Sequence, residues 1–236
     1  MKENKFIWVG GKQTVISILE LSKNDVLECY AVNDLSHIFK DFKFATKKKI
    51  NELFKNKNFN HQGVAAKIKL KKKITLNDFI LKKTSNAIVL DDVTDIGNIG
   101  AIIRSCIAFG INDIILEKGI LQGNLESIYK TSSGMSHQIN LISVVNLNNS
   151  LNELKKNHYW ITGMDSTAKQ EIGKNHWFNK NIIILGSEGK GIKNSIKQKC
   201  DQLVKIKINS KSKSINVSNA CAVTLFDLSN RAKEVV

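Results

Sequence analysis

The sequence predicts an α/β protein. Its larger part is a mainly parallel sheet with helices on both faces, preceded by a smaller α/β domain. Three observations predict it. Apolar segments of strand length alternate with segments of helical periodicity. Hydrophobic residues make up 42% of the 236, enough for a packed core. A lysine-rich stretch, with Lys69, Lys71, Lys72 and Lys73 followed by Lys82 and Lys83, divides the chain. The expected organisation is a domain over residues 1–72, a basic linker over 73–84 and a second domain over 85–236.

In the first part, Phe6–Val9 and Val26–Val32 read as strands. Thr14–Leu21 carries Val15, Ile18 and Leu19 at helical spacing. Lys47–Phe54 places Ile50, Leu53 and Phe54 on one helix face, and Gly63–Leu70 alternates as a half-buried strand does. In the second part, Ala87–Leu90 is a short buried strand. Asn98–Phe109 follows as a helix, with Ile99, Ile102, Ile103, Cys106 and Ile107 on one face, Asn98 as its cap and Gly110 at its end. Further strands are expected at Ile111–Leu116, Gln138–Val145, Tyr159–Met164, Asn181–Leu185 and Gln202–Ile208. Helices are expected at Leu147–Asn157, Ile192–Lys199 and Ser218–Lys233. Ligands of such sheets sit beyond the carboxyl ends of the strands.

Composition narrows the function classes. No apolar run is long enough to span a membrane, and the basic N-terminal segment has neither the apolar stretch nor the cleavage site of a secretory signal. The four cysteines (Cys29, Cys106, Cys200 and Cys221) are scattered without a C-x-x-C, which predicts reduced thiols and a cytoplasmic protein. The five histidines show no metal-ligand spacing, so no metal is expected. The net charge is +15, from 36 basic and 21 acidic residues, and it favours a polyanionic partner, chiefly nucleic acid. Most of that charge lies in the first third. There is no proline where about twelve are ordinary. Only Arg104 and Arg231 are arginine, against 34 lysines, so a retained arginine carries more meaning than usual.

Three segments could carry chemistry. In Leu90–Arg104 a strand ends, a loop turns at Gly97 and a helix opens. Arg104 falls roughly 130° from the centre of the apolar helix face at about 100° per residue, so it is not a core residue. It is a phosphate or ribose clamp, or an ordinary exposed arginine. In Ile182–Ile192, Gly186, Gly189 and Gly191 crowd behind an apolar strand and bracket Glu188. Gly186 and Gly191 have the P-loop gap, but Ile192-Lys193 follows where Lys-Ser/Thr is required, and Asn194 stands where a dinucleotide fingerprint needs its third glycine. Glu188 there suits a hydroxyl or amine, or is a solvated turn residue. In Val204–Ala220 a strand runs into a polar loop holding Ser214, Asn216 and Ser218, with Ser218 able to cap the last helix.

Taken together and in this order, the segments resemble the three motifs of the SpoU (TrmH-type) RNA 2′-O-ribose methyltransferases of the SPOUT superfamily. The matching residues are Asn98-x-Gly100-Ala101-x-x-Arg104, then Gly186-Ser187-Glu188-Gly189-x-Gly191, then Ile206-x-Ile208 with Ser214-Ile215-Asn216-Val217-Ser218-x-Ala220. Val9–Val15 and His61-Gln62-Gly63-Val64-Ala65-Ala66 are similar to the substrate-binding domain of one subgroup, a domain like ribosomal protein L30e. That subgroup methylates a guanosine ribose in bacterial large-subunit rRNA. The chain departs from the pattern at Lys207, where the family usually has proline, and at Ser210, where it has glycine.

The resemblance implies a C-terminal domain with a deep trefoil knot, S-adenosylmethionine (SAM) as cofactor, 23S rRNA as partner, a homodimer and no membrane association. It implies catalytic roles for Arg104, Asn98, Glu188 and Asn216, and a cofactor pocket lined by Gly186, Ile206 and Ile215. The alternatives are a tRNA 2′-O-methyltransferase, or a catalytically weak RNA-binding or ribosome-assembly factor on the same scaffold.

Overall fold

The structure is a computed structural model and describes residues 5–32, 42–54, 59–82, 86–212 and 214–231. The chain begins with β1 (Phe6–Gly10), α1 (Lys12–Ser22), β2 (Val26–Ala31), β3 (Lys43–Phe44), α2 (Lys47–Glu52) and β4 (Val64–Lys69). Then come α3 (Leu76–Leu81), β5 (Asn86–Asp91), α4 (Ile96–Ala108), β6 (Asp113–Glu117), α5 (Lys118–Leu121), α6 (Leu125–Thr131) and β7 (Asn140–Val144). The rest is α7 (Leu147–Lys156), β8 (Trp160–Met164), β9 (Gln170–Glu171), β10 (Asn181–Gly186), α8 (Asn194–Lys197), β11 (Gln202–Lys205) and α9 (Val217–Arg231).

Two compact units result. Residues 1–72 and 123–138 form the first, and residues 73–122 and 139–236 the second. The sequence predicts no element over 123–137 and does not place that stretch in the first unit. Yet Tyr129 of α6 is buried in the same core as Val9, Val15, Ile18 and Ile68. Contacts between segments so far apart in the chain leave no local periodicity to read.

In the first unit the sheet order is β1-β4-β2-β3. The strand β4 runs antiparallel to both β1 and β2. The His61-Gln62-Gly63 turn fastens it. His61 accepts the Gly11 N–H on its carbonyl (3.1 Å), and Gln62 Oε1 accepts the Lys12 N–H (2.9 Å). The turn thus satisfies donors at the start of α1 that no side chain of the helix reaches.

The second unit holds a seven-stranded sheet ordered β7-β6-β5-β10-β8-β11-β9, with every pair parallel. Ala87, Val89, Ile182 and Ile184 face one side, where Phe79 of α3, Leu151 and Leu154 of α7 and Ile196 of α8 complete a core. Ile88, Leu90, Ile183 and Leu185 are equally buried. They point to the opposite side, since side chains alternate along a strand. There α4 and α9 pack together.

The stretch expected as a linker over 73–84 is part of this second unit, and it contains α3. Thr75 and Asp78 form a reciprocal capping box, and Phe79 is fully buried beneath the helix. Lysine density marked the stretch as solvent-facing; one buried aromatic and a cap were enough to order it. The expected strand over Gln202–Ile208 ends at Lys205, and the helix expected over Ile192–Lys199 shrinks to the single turn of α8. His37, Lys83, Lys213 and the expected last turn to Lys233 lie outside the described residues.

Candidate active site

The three motifs meet beyond the carboxyl ends of β5, β10 and β11. Parallel register sets Gly186, the last residue of β10, beside Asp91, the last of β5. The helix α4 does not begin at Asn98. It begins two residues earlier, and Asp95 is its cap, Oδ1 accepting the Asn98 N–H at 2.7 Å. That shift frees the Asn98 side chain from capping. Its Nδ2 donates to Glu188 Oε1 at 3.0 Å, and its Oδ1 accepts from Asn216 Nδ2 at 2.9 Å. Asn216 Nδ2 also donates to the same Glu188 oxygen, at 2.7 Å. Asn98, Glu188 and Asn216 thus close a triangle of hydrogen bonds, one residue from each motif.

Asn216 also takes the capping role expected of Ser218. Its Oδ1 accepts the Ser218 N–H at 2.8 Å, and its carbonyl accepts the Ala220 N–H at 2.9 Å. One asparagine therefore fixes the start of α9 with its oxygen and the triangle with its nitrogen. The pairing uses a single carboxylate oxygen of the exposed Glu188. Among the described residues no hydrogen bond is given to its Oε2.

Arg104 lies two turns along α4 from Asn98 and is exposed. Among the described residues it has no hydrogen bond and no ion pair, so the triangle bonds within itself and not to Arg104. Gly100, four residues earlier, is buried. The chain's other arginine is structural. Arg231 reaches Asp227 through Nε (3.0 Å) and Nη2 (2.6 Å), and the carbonyl and side chain of Asn175 at 2.9 and 2.6 Å.

The glycine loop is built more tightly than composition alone suggests. A Cβ on Gly186 would collide with the backbone of Gly191 and Ile192. The loop doubles back here, Gly191 donating its N–H to Ser187 at 2.9 Å. The close approach that Gly186 permits is therefore to its own loop. Gly189 and Gly191 have positive φ (84° and 66°) and open space around their α-carbons.

Asp91 closes β5 beside Gly186, and the sequence analysis does not single it out. It is fully buried, and its Oδ2 accepts the Lys193 N–H at 2.7 Å while Lys193 Nζ lies 3.5 Å from Oδ1. Burial pulls the Lys193 ammonium down. The carboxylates of Asp91 and Asp92 outweigh it and hold the group above the usual lysine range. This pair ties the end of β5 to the chain just after the glycine loop. The signal was present: a carboxylate closing an apolar parallel strand, where a charge needs a partner.

The residues beyond the strand ends fit an adenosyl group. Ile206 leaves the sheet directly after β11, and Ile215 stands just before α9. Both are half-buried, which offers apolar surface to a purine face. Peptide groups where β10 and β11 leave the ladder offer polar partners to its edge.

The chain matches the model of the SpoU rRNA Methylase family over residues 85–226, and it belongs to that family. It is 36% identical over 172 residues to the 23S rRNA (guanosine-2′-O-)-methyltransferase RlmB of Xylella fastidiosa, covering 71% of this chain and 69% of that one. Over 240 residues it is 28% identical to the RlmB enzyme of Vibrio vulnificus, covering 95% and 96%. Among solved structures, the SpoU methyltransferase AviRb of Streptomyces viridochromogenes in complex with AdoMet superposes with a TM-score of 0.75. Its sequence identity is 16%, and the match covers 97% of this chain and 91% of that one.

Proposed function

We propose that the chain is a SAM-dependent enzyme that methylates the ribose 2′-hydroxyl of a guanosine in large-subunit rRNA. The observation that carries this reading is the hydrogen-bonded triangle of Asn98, Glu188 and Asn216 at the carboxyl ends of the parallel strands. The relatives named for guanosine 2′-O-methylation of 23S rRNA support the substrate.

When bound, SAM supplies a methyl group on a positively charged sulfur, already activated for displacement. Gly186, Ile206 and Ile215 would hold it, the isoleucines through apolar contact. The ribose hydroxyl is the unactivated partner, so the chain's task is to place its oxygen and let its proton go. Arg104 is free to clamp the adjacent phosphate and ribose with its fork of donors. A guanidinium is a poor proton acceptor, so the proton passes to that phosphate or to water. The triangle fixes Glu188, whose Oε2 is left to accept from a hydroxyl. Asn98 and Asn216 act by holding it.

The same reading includes a trefoil knot in the second unit, a first unit of the L30e type that binds RNA through its lysines, and a cytoplasmic setting. The placement of the late strand β10 between β5 and β8 supports the knot. It also includes a homodimer. Val223 and Phe226 of α9 are 40% and 58% exposed, and the Phe226 ring meets Phe109 edge-on at 6.4 Å, an apolar surface suited to a second copy.

The test is single-turnover methylation of RNA with saturating enzyme. Arg104→Lys keeps the charge and loses the bidentate contact. We expect about a hundredfold slower transfer, the scale of losing one positioned contact, with unchanged melting temperature and SAM affinity. A near wild-type rate would dismiss the clamp and leave Glu188 as the activating group.

A further inference from the structure

The four-stranded sheet of the first unit has two unlike faces. Val9, Cys29, Ala31, Ala66 and Ile68 point into the core against α1. The strand register sets Phe6 and Trp8 of β1 on the other face, opposite Lys69 and Lys67 of β4. Glu28 and Tyr30 of β2 continue those rows, and Lys43 of β3 stands beside Tyr30.

Ile50, Phe54 and Phe59 cover this face around Ala65, and Trp8 and Tyr30 lean on that cluster. At the edge of this face Phe6 is 45% exposed, while Trp8 and Tyr30 are half-buried. Core packing gives no reason for a phenylalanine there.

Cations sit over the rings. Lys67 Nζ is 4.3 Å from the Phe6 centroid and 5.8 Å from that of Trp8, and Lys49 Nζ is 4.9 Å from that of Tyr30. Among the described residues in these rows, Glu28 is the one carboxylate. It accepts from Lys67 and from the Tyr30 hydroxyl, each at 3.1 Å. Positive charge therefore dominates a surface of three rings.

We infer that this face is a stacking platform for unpaired bases of the RNA substrate, with its lysines taking the flanking phosphates. The inference rests on the RNA-directed reading above and deepens it. Every base offers a π face to a ring, and the backbone on either side of the base offers the anion. A protein partner fits less well, because interface cores are depleted in lysine. Stacking tolerates any base, so the platform grips an unstacked loop and leaves the choice of nucleotide to the methyl-transfer site.

The experiment is equilibrium binding of the full chain to a single-stranded oligoribonucleotide, and to its duplex, across a salt series. Phe6→Ala should weaken single-strand binding about tenfold, as loss of one stacked base does, with the salt slope unchanged. Duplex binding should not change, since its bases are already stacked. Lys69→Gln should flatten the single-strand slope by about 0.7, one phosphate's worth. Phe6→Leu keeps the apolar volume, guards against a folding defect and should behave like Phe6→Ala. With either Phe6 variant, methyl transfer should show a raised KM and an unchanged kcat. Wild-type single-strand affinity in a folded Phe6→Leu protein would overturn the platform. If instead the wild-type chain transfers no methyl to RNA, the proposed function fails while the binding result still decides the platform.

Discussion

Asn98 donates a hydrogen bond to Glu188 at 3.0 Å across 90 residues of sequence, and Asn216 joins both. The link exists because Asp95, not Asn98, caps α4. A helix cap displaced by three residues turns a structural asparagine into a site asparagine.

Glu188→Ala should slow single-turnover methyl transfer by about a hundredfold, the loss expected when a positioned polar contact goes. Glu188 is exposed, so the melting temperature should move little. Melting measured beside the transfer rate separates the two. A large fall in stability with transfer per folded molecule intact would make the triangle a structural brace only.

Gly186→Ala should lower the melting temperature and the SAM affinity together. The new Cβ would collide with backbone at Gly191 and Ile192, and backbone does not yield as a flexible side chain does. The cost should be about 1–3 kcal/mol. Calorimetric SAM titration and thermal melting on one preparation check this. Lost affinity in a protein of unchanged stability would mean that the open side of the Gly186 α-carbon faces the cofactor rather than the backbone of Gly191 and Ile192, its peptide group holding the cofactor in either case.

Acidification should destabilise the first unit. His137 is 1% exposed, with Tyr129 Oη 3.1 Å from Nδ1 and Asp25 Oδ2 2.9 Å from Nε2. Burial pushes its pKa below the ordinary imidazole value, and the Asp25 carboxylate pulls back only in part. Burial also lowers His61, helped by Lys47 and Lys130. A depressed folded-state pKa means that the unfolded chain binds more protons below pH about 6.5. Stability is therefore present above that pH and is lost as pH falls from it through the folded value. Urea midpoints at pH 7.5 and 5.5 should differ in wild type and differ less in His137→Gln. An unchanged or higher midpoint at pH 5.5 would mean that burial of His137 and His61 does not set the acid limit of the fold.

Much of the second unit was legible because its strands are continuous apolar runs and α4 repeats its apolar face at every turn, as at Ile99, Ile102, Ile103 and Cys106. The motifs named Asn98, Glu188 and Asn216 as site residues, and the structure brings them together. Which donor met which acceptor was not legible, since it depends on the cap at Asp95. Asp91 was missed because its partner Lys193 lies 102 residues away. The buried Phe79 was missed because its neighbouring lysines dominate the local pattern, and the place of α6 in the first unit because only tertiary packing specifies it.

Methyl transfer to a ribose 2′-oxygen leaves a mark that alkali can locate. The purified chain is incubated with methyl-labelled SAM and large-subunit rRNA, and the RNA is then hydrolysed in alkali. Alkaline cleavage needs a free 2′-hydroxyl to attack the neighbouring phosphate, so a 2′-O-methyl group protects its own linkage. Label should appear in an alkali-resistant dinucleotide whose 5′ residue is guanosine, and Arg104→Lys should greatly reduce that product. Label released on a mononucleotide would put the methyl on a base and contradict ribose 2′-O-methylation, as would no transfer to RNA at all.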